Sequence, residues 1–298
     1  MLGEIAISDW GASNVLGGAS FSEQLPIDST APYRQILFVI LIANLWTLVL
    51  TTVPVIANLG PNDYYAHHPN WYAGNDVMRF IEPIGGTILQ FFVLFQSGIF
   101  KENMNTSSMI CVGVFMFGLA LYGQGAGFHS SSNMFKNALE TIITNDDDNS
   151  DLHDLWFYMR VIWEHAISHY LYAIGYAIMN LCQFFAYRHI KAPYLGLTKA
   201  GKGLLISASI IYALLIAGVA IEFPSGTIVA LIYLLVVGVC VVGGFIVMEH
   251  RNGDKDIAVH FGMRPIVHHF ALSYVIALII VVVWMCLYGI KDRSQSGV

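Results

Sequence analysis

Within the run MRVIWEHAISHYLYAIG, His165 and His169 stand four residues apart. On a helix that spacing puts both imidazoles on one face, at a separation suited to a single metal ion. Arg160, Glu164 and Ser168 form a second ladder of the same spacing beside them. The plainer alternative is an Arg160–Glu164 ion pair with two histidines bonded to carbonyls of neighbouring helices. A second cluster lies upstream in GQGAGFHSSSNMFKN, where His129 and Asn133 are again four apart and Ser130 follows the histidine. Gly123, Gly125 and Gly127 would let another helix approach closely or let the backbone open. No strand precedes these glycines and their spacing is not that of a dinucleotide site. The alternative here is an interfacial helix end with hydrogen-bonded polar caps. The third cluster is Glu82-Pro83, followed by Gly85 and Gly86. Glu82 reads either as a carboxylate ligand or base, or as a helix-start residue favoured by the dipole.

These groups sit in an apolar chain. Hydrophobic residues make up 56% of the 298, charged residues only 11%, and the mean hydropathy is +0.62. Soluble domains carry about 25% charge, so this chain lacks the polar surface of a globule in water. The net charge is −6 and no basic tract is present, so nucleic acid is not an expected partner. A soluble enzyme and a disordered protein are excluded on the same grounds. The expectation is an all-α, polytopic transmembrane helix bundle of about seven spans.

A span needs about 20 mostly apolar residues, because lipid cannot satisfy free backbone groups. Seven stretches qualify, at 36–56, 79–100, 109–128, 155–184, 203–222, 226–248 and 268–289. The organisation expected is a polar tail over 1–35, a membrane domain over 36–290 and a short tail over 291–298. The first thirty residues lack the basic region and early apolar stretch of a signal peptide. Cys111, Cys182, Cys240 and Cys286 all fall in apolar runs and read as small buried hydrophobes rather than a disulfide framework.

Orientation follows the Lys and Arg residues. Nine of the fourteen fall on the side of the N-terminus and five on the other, which puts the N-terminus in the cytoplasm. The sequon Asn105-Thr106-Ser107 would then stay unglycosylated. By parity, Glu82, His129, His165 and His169 lie at one end of the bundle, and His268 and His269 at the other. His67 and His68 precede the second span, on the side of the first group.

Two motifs carry a resemblance. Gly125, Gly127, His129 and Asn133, with Ser168-His169-Tyr170-Leu171 and Gly175, resemble a poorly characterised family of polytopic membrane proteins. In that pattern an acidic residue stands where His165 is found here, with Glu164 adjacent. More distantly, seven spans with a Phe-His helix end and an HxxxH pair are similar to the alkaline ceramidase and adiponectin-receptor superfamily. That likeness implies zinc-dependent hydrolysis within the membrane, although the superfamily's HxxxH lies in the last span and His165 and His169 lie in the fourth.

An ionisable group at mid-membrane costs at least about 2.5 kcal/mol, so these clusters need a reason to be there. The reading favoured is a metal-dependent hydrolase acting on a lipid or amphiphilic amide or ester that enters from the bilayer. His129, His165 and His169 would hold Zn²⁺ and leave a position for water. Glu164 or Glu82 would act as base, and Ser130 or Asn133 would steady the oxyanion. A transporter or receptor with an intramembrane polar site is the first alternative, although no internal repeat is visible. No Lys lies within the seventh span, which argues against a retinal receptor. A haem held by His129 and His169 is the next alternative, and a membrane scaffold the last.

Overall fold

The computed structural model describes residues 31–56, 74–100, 104–145, 150–192, 196–253 and 260–297. Among these there is no strand. Seven long helices form a bundle: α1 (Ala31–Ile56), α2 (Gly74–Phe95), α3 (Thr106–Asn145), α4, α5 (Lys199–Glu222), α6 (Gly226–Arg251) and α7 (Pro265–Tyr288). Helix α4 is one continuous rod made of Ser150–Phe157, Tyr158–Ser168 and His169–Tyr187. A short α8 (Arg293–Ser296) follows α7, inside the region expected as a tail. The expected polar tail to residue 30, and His67 and His68, lie outside the described residues.

Six of the helices (α1, α2, α3, α5, α6 and α7) are long and apolar enough to cross a membrane. Their outward faces carry large apolar side chains such as Phe80, Phe117, Ile279 and Leu287, each more than half exposed. A soluble chain rarely leaves contiguous apolar surface of this kind uncovered, and the protein is an integral, multi-pass membrane protein. The exception, α4, carries Asn180, Gln183 and five tyrosines among its apolar residues, and it buries Glu164, Ser168, Tyr176, Asn180, Gln183 and Tyr187 in the bundle.

Packing explains where α4 sits. It lies along α3 and touches α2 and α7, while α1 packs on α2 and α5, and α7 joins α5 to α6. Glycine makes the α3–α4 contact close. A Cβ on Gly125 would stand 2.5 Å from the Tyr172 nitrogen and 2.7 Å from the Ser168 carbonyl oxygen, and one on Gly118 would meet the Gly175 carbonyl at 3.0 Å. The backbones therefore touch as small-residue helix pairs do in lipid. Gly123 and Gly127 face open space instead, so only one of the three glycines in that run serves the approach.

Three expectations about local structure are corrected. Helix α3 does not end near 128 but continues to Asn145, and Ser130, Ser132 and Asn133 are buried in the bundle rather than left as an interfacial cap. Glu82 is not a helix-start residue: α2 begins at Gly74, two turns earlier. The four cysteines are all free, but only Cys182 is buried; Cys111 is half-buried and Cys240 and Cys286 face outward.

Residues Tyr158–Ser168 wind as a π-helix, whose i→i+5 bonding re-aims the side chains of a rod that is otherwise α-helical. The Arg160–Glu164 ladder is broken by this winding. Arg160 turns outward and lies over the Trp156 ring, 5.0 Å from its centroid, while Glu164 turns inward and is 4% exposed.

A buried polar column, not expected from the sequence, runs through the bundle. Tyr176 donates to Asn44 (2.5 Å) and accepts from Gln90 (2.9 Å), whose side-chain oxygen accepts from Gln183 (2.7 Å). Tyr187 donates to the Val93 carbonyl at 2.5 Å. These bonds satisfy amides and hydroxyls that would be costly to leave unpaired in lipid. They also tie α4 to α1 and α2.

Candidate functional site

The ends of α1, α2, α3, α4 and α5 that parity assigns to one side of the membrane enclose a polar chamber of about 400 Å³. Arg79, Glu82, His129, Glu164, His165 and His169 all line it, together with Ser168, Tyr172 and Glu222. Of the residues expected at a site, the structure brings together the three histidines and both glutamates. Ser130 and Asn133 are buried but do not line this chamber. At the opposite end, His268 accepts from the Gly262 N–H (2.9 Å), and His269 lies 3.2 Å from the Ser209 hydroxyl and stacks on Tyr212.

The charges are arranged in separate pairs. Glu164 is held by Lys136 of α3, with Nζ 2.9 and 3.1 Å from its two oxygens, and Lys136 also donates to Asn133 Oδ1 at 3.1 Å. Arg293 pairs with Glu222 at 2.7 Å. Glu82, 1% exposed, accepts from the Thr47 hydroxyl (2.6 Å) and from the Tyr122 hydroxyl, and Tyr122 stands 3.2 Å from the Tyr172 hydroxyl. The Trp46 indole donates to the Glu82 carbonyl at 2.9 Å. Gly85 and Gly86 make room for this arrangement, since a Cβ on Gly86 would stand 2.8 Å from the Tyr122 hydroxyl and one on Gly85 2.4 Å from the Trp46 ring. Arg79 differs from these groups: it meets no carboxylate within 4.0 Å among the described residues, and its Nη1 lies 3.5 Å from His129 Nε2.

The imidazoles are neighbours. His129 and His169 have ring centroids 5.2 Å apart, and His165 and His169 5.7 Å. His169 Nδ1 is buried with no hydrogen-bond partner. Centroids about 5 Å apart are what two imidazoles on one ion would show, given Zn–N distances near 2.0–2.1 Å. The nitrogens of His129 are otherwise engaged. His129 Nε2 faces the Arg79 guanidinium and its Nδ1 faces the Asn133 amide at 3.4 Å. Among the described residues no three His, Cys, Asp or Glu side chains are disposed to hold one metal ion. As placed, the trio does not fit a metal. A haem between His129 and His169 would require those rings to part and admit the macrocycle.

A second chamber, of about 130 Å³, adjoins the first between α4, α5 and α6. It exists because α4 and α5 do not pack backbone against backbone; they meet through side chains, with Tyr176 and Tyr212 centroids 6.1 Å apart. Its lining is almost wholly apolar, from Ala173, Ile174, Ala177, Leu215 and Ile216 to Val229. Tyr172, Val219 and Phe223 line both chambers. Ile174 and Val229, 46% and 36% exposed, line the apolar chamber and also face outward. It therefore reaches the bundle's lateral surface between α4 and α6. The α5–α6 turn closes the other side, where the Tyr170 hydroxyl donates to the Pro224 carbonyl at 2.9 Å.

No family model matches the chain, and no curated protein or solved structure does.

The apolar chamber went unforeseen. A stripe of Tyr170, Ala173, Ile174 and Ala177 on α4 is its sequence trace. Such a stripe is also what ordinary helix packing looks like.

Proposed function

We propose that this membrane protein binds an amphiphile taken sideways from the bilayer, with its polar end in the histidine chamber and its chain in the apolar one. It acts as a receptor or carrier for that molecule. The observation that carries this reading is the shared wall of Tyr172, Val219 and Phe223, which joins a polar cavity to an apolar one that reaches the outward face. Binding sites for small molecules combine such apolar lining with a few convergent polar groups. In this reading α4 is the seventh crossing. Its 38 residues exceed the ~20 needed for a hydrocarbon core; its Gln183 amide donates to Gln90 of α2, and its Asn180 amide to the Tyr176 carbonyl of the same helix. The N-terminus is then cytoplasmic and the chambers lie in the opposite leaflet.

The test is native mass spectrometry of the protein released from nanodiscs, with and without Val219→Trp. A retained amphiphile that the tryptophan displaces supports the reading. A ligand-free wild type, or a ligand retained equally by the variant, contradicts it.

Metal-dependent hydrolysis of a lipid amide or ester is the second reading, with His129, His165 and His169 as ligands and Zn²⁺ as the expected ion. The adjacency of the three rings and the unpartnered His169 Nδ1 favour it. It requires His129 to leave Arg79. Elemental analysis of the purified protein decides it: one zinc per chain, lost in His169→Ala, supports hydrolysis, and a metal-free wild type rejects it.

A further inference from the structure

We infer that the head of the bound amphiphile is anionic, and that Arg79 is the group that pairs with it; this rests on the amphiphile reading above. Lys136 is neutralised by Glu164, and Arg293 by Glu222. Arg79 alone among the cations lining the chamber has no carboxylate among the described residues.

Glu82 does not take that role, although it lies on the same helix three residues on. Its carboxylate is turned toward Thr47 and Tyr122, and no contact within 4.0 Å joins it to Arg79. A guanidinium carries five N–H donors. Among the described residues this one is engaged only through the long 3.5 Å approach to His129, which is at the limit of a hydrogen bond. The remaining donors face a half-buried chamber in which charge-assisted bonds are stronger than in water.

A carboxylate or a phosphate satisfies that fork equally, since both accept two parallel N–H bonds. The neighbouring imidazoles add donors on the same side: His165 and His169 line the chamber with His129. A cationic head, by contrast, would be set against Arg79 with Glu82, Glu164 and Glu222 all engaged by other groups.

The experiment is equilibrium binding of radiolabelled dodecanoate, dodecyl phosphate and 1-dodecanol to the full chain in phosphatidylcholine nanodiscs, with empty nanodiscs as background. A charge-assisted pair predicts that at least one anion binds about tenfold or more tighter than the alcohol. Arg79→Gln is expected to abolish that preference, while Arg79→Lys restores part of it. Tighter dodecanoate names a carboxylate head, and tighter dodecyl phosphate a phosphate head. Saturable binding of all three with equal affinity overturns the anionic head and leaves the amphiphile reading standing. If none binds saturably, both fall.

Discussion

Arg79 of α2 and His129 of α3 meet at the wall of the polar chamber, with Nη1 3.5 Å from Nε2. Arginine only donates, so a bond here has Nε2 presenting its lone pair to the guanidinium. A metal ion approaching His129 would find its ligand atom guarded by a fixed positive charge. Removing the charge should therefore help a metal bind. Arg79→Ala is expected to raise zinc affinity by about tenfold or more, since repulsion over a few ångströms is worth several kcal/mol. Calorimetric titration of both proteins measures it, and an unchanged affinity contradicts the geometry.

The Lys136–Glu164 pair holds α3 to the π-wound stretch of α4. Lys136→Met leaves Glu164, 6% exposed in its side chain, without its counter-charge. Breaking one partner of a buried pair costs about 3–5 kcal/mol, and the lower end applies because Lys136 keeps some access to water. Lys136→Met with Glu164→Leu should recover most of the loss. Denaturant unfolding in micelles reads both, and a single variant as stable as wild type would contradict the role.

How this pair escaped the sequence reading is physically clear. The apolar run of α3 fades near residue 128, so hydropathy ends the span there, short of Lys136. Burial against α4 carries the helix on. The winding of Tyr158–Ser168 has no sequence marker either, and it alone sends Glu164 inward and Arg160 outward. What could be read was parity: the alternation of spans brings Glu82, His129, His165 and His169 to one end without any knowledge of packing. The apolar chamber was hidden because it is made by an absence of helix contact, which leaves no pattern in a chain where most positions are apolar.

The glycines divide sharply. Gly125→Ala would put a methyl 2.5 Å from the Tyr172 nitrogen, which forces α3 and α4 apart, and such overpacking costs about 1–3 kcal/mol. Gly127→Ala meets nothing within 4 Å and should be neutral, or stabilising by up to about 1 kcal/mol through helix propensity. Thermal melts of the two variants should move apart, and equal melts would contradict the close approach.

Glu82 is the acceptor that Thr47 and Tyr122 share. Glu82→Ala strands two buried hydroxyls, at about 1–3 kcal/mol for each donor left unmet. Glu82→Gln keeps a carbonyl oxygen there and should lose less. If alanine and glutamine variants unfold alike, the carboxylate is not what organises Thr47 and Tyr122.

The joined chambers can be tested at the level of individual residues by photocrosslinking a dodecanoate that carries a diazirine on its chain, followed by peptide mapping. The account predicts label on the α4 stretch 170–177 and the α5 stretch 215–219, lost when Val219 becomes Trp. Label confined to outward-facing residues such as Ile279 and Leu287, and indifferent to that substitution, would contradict it.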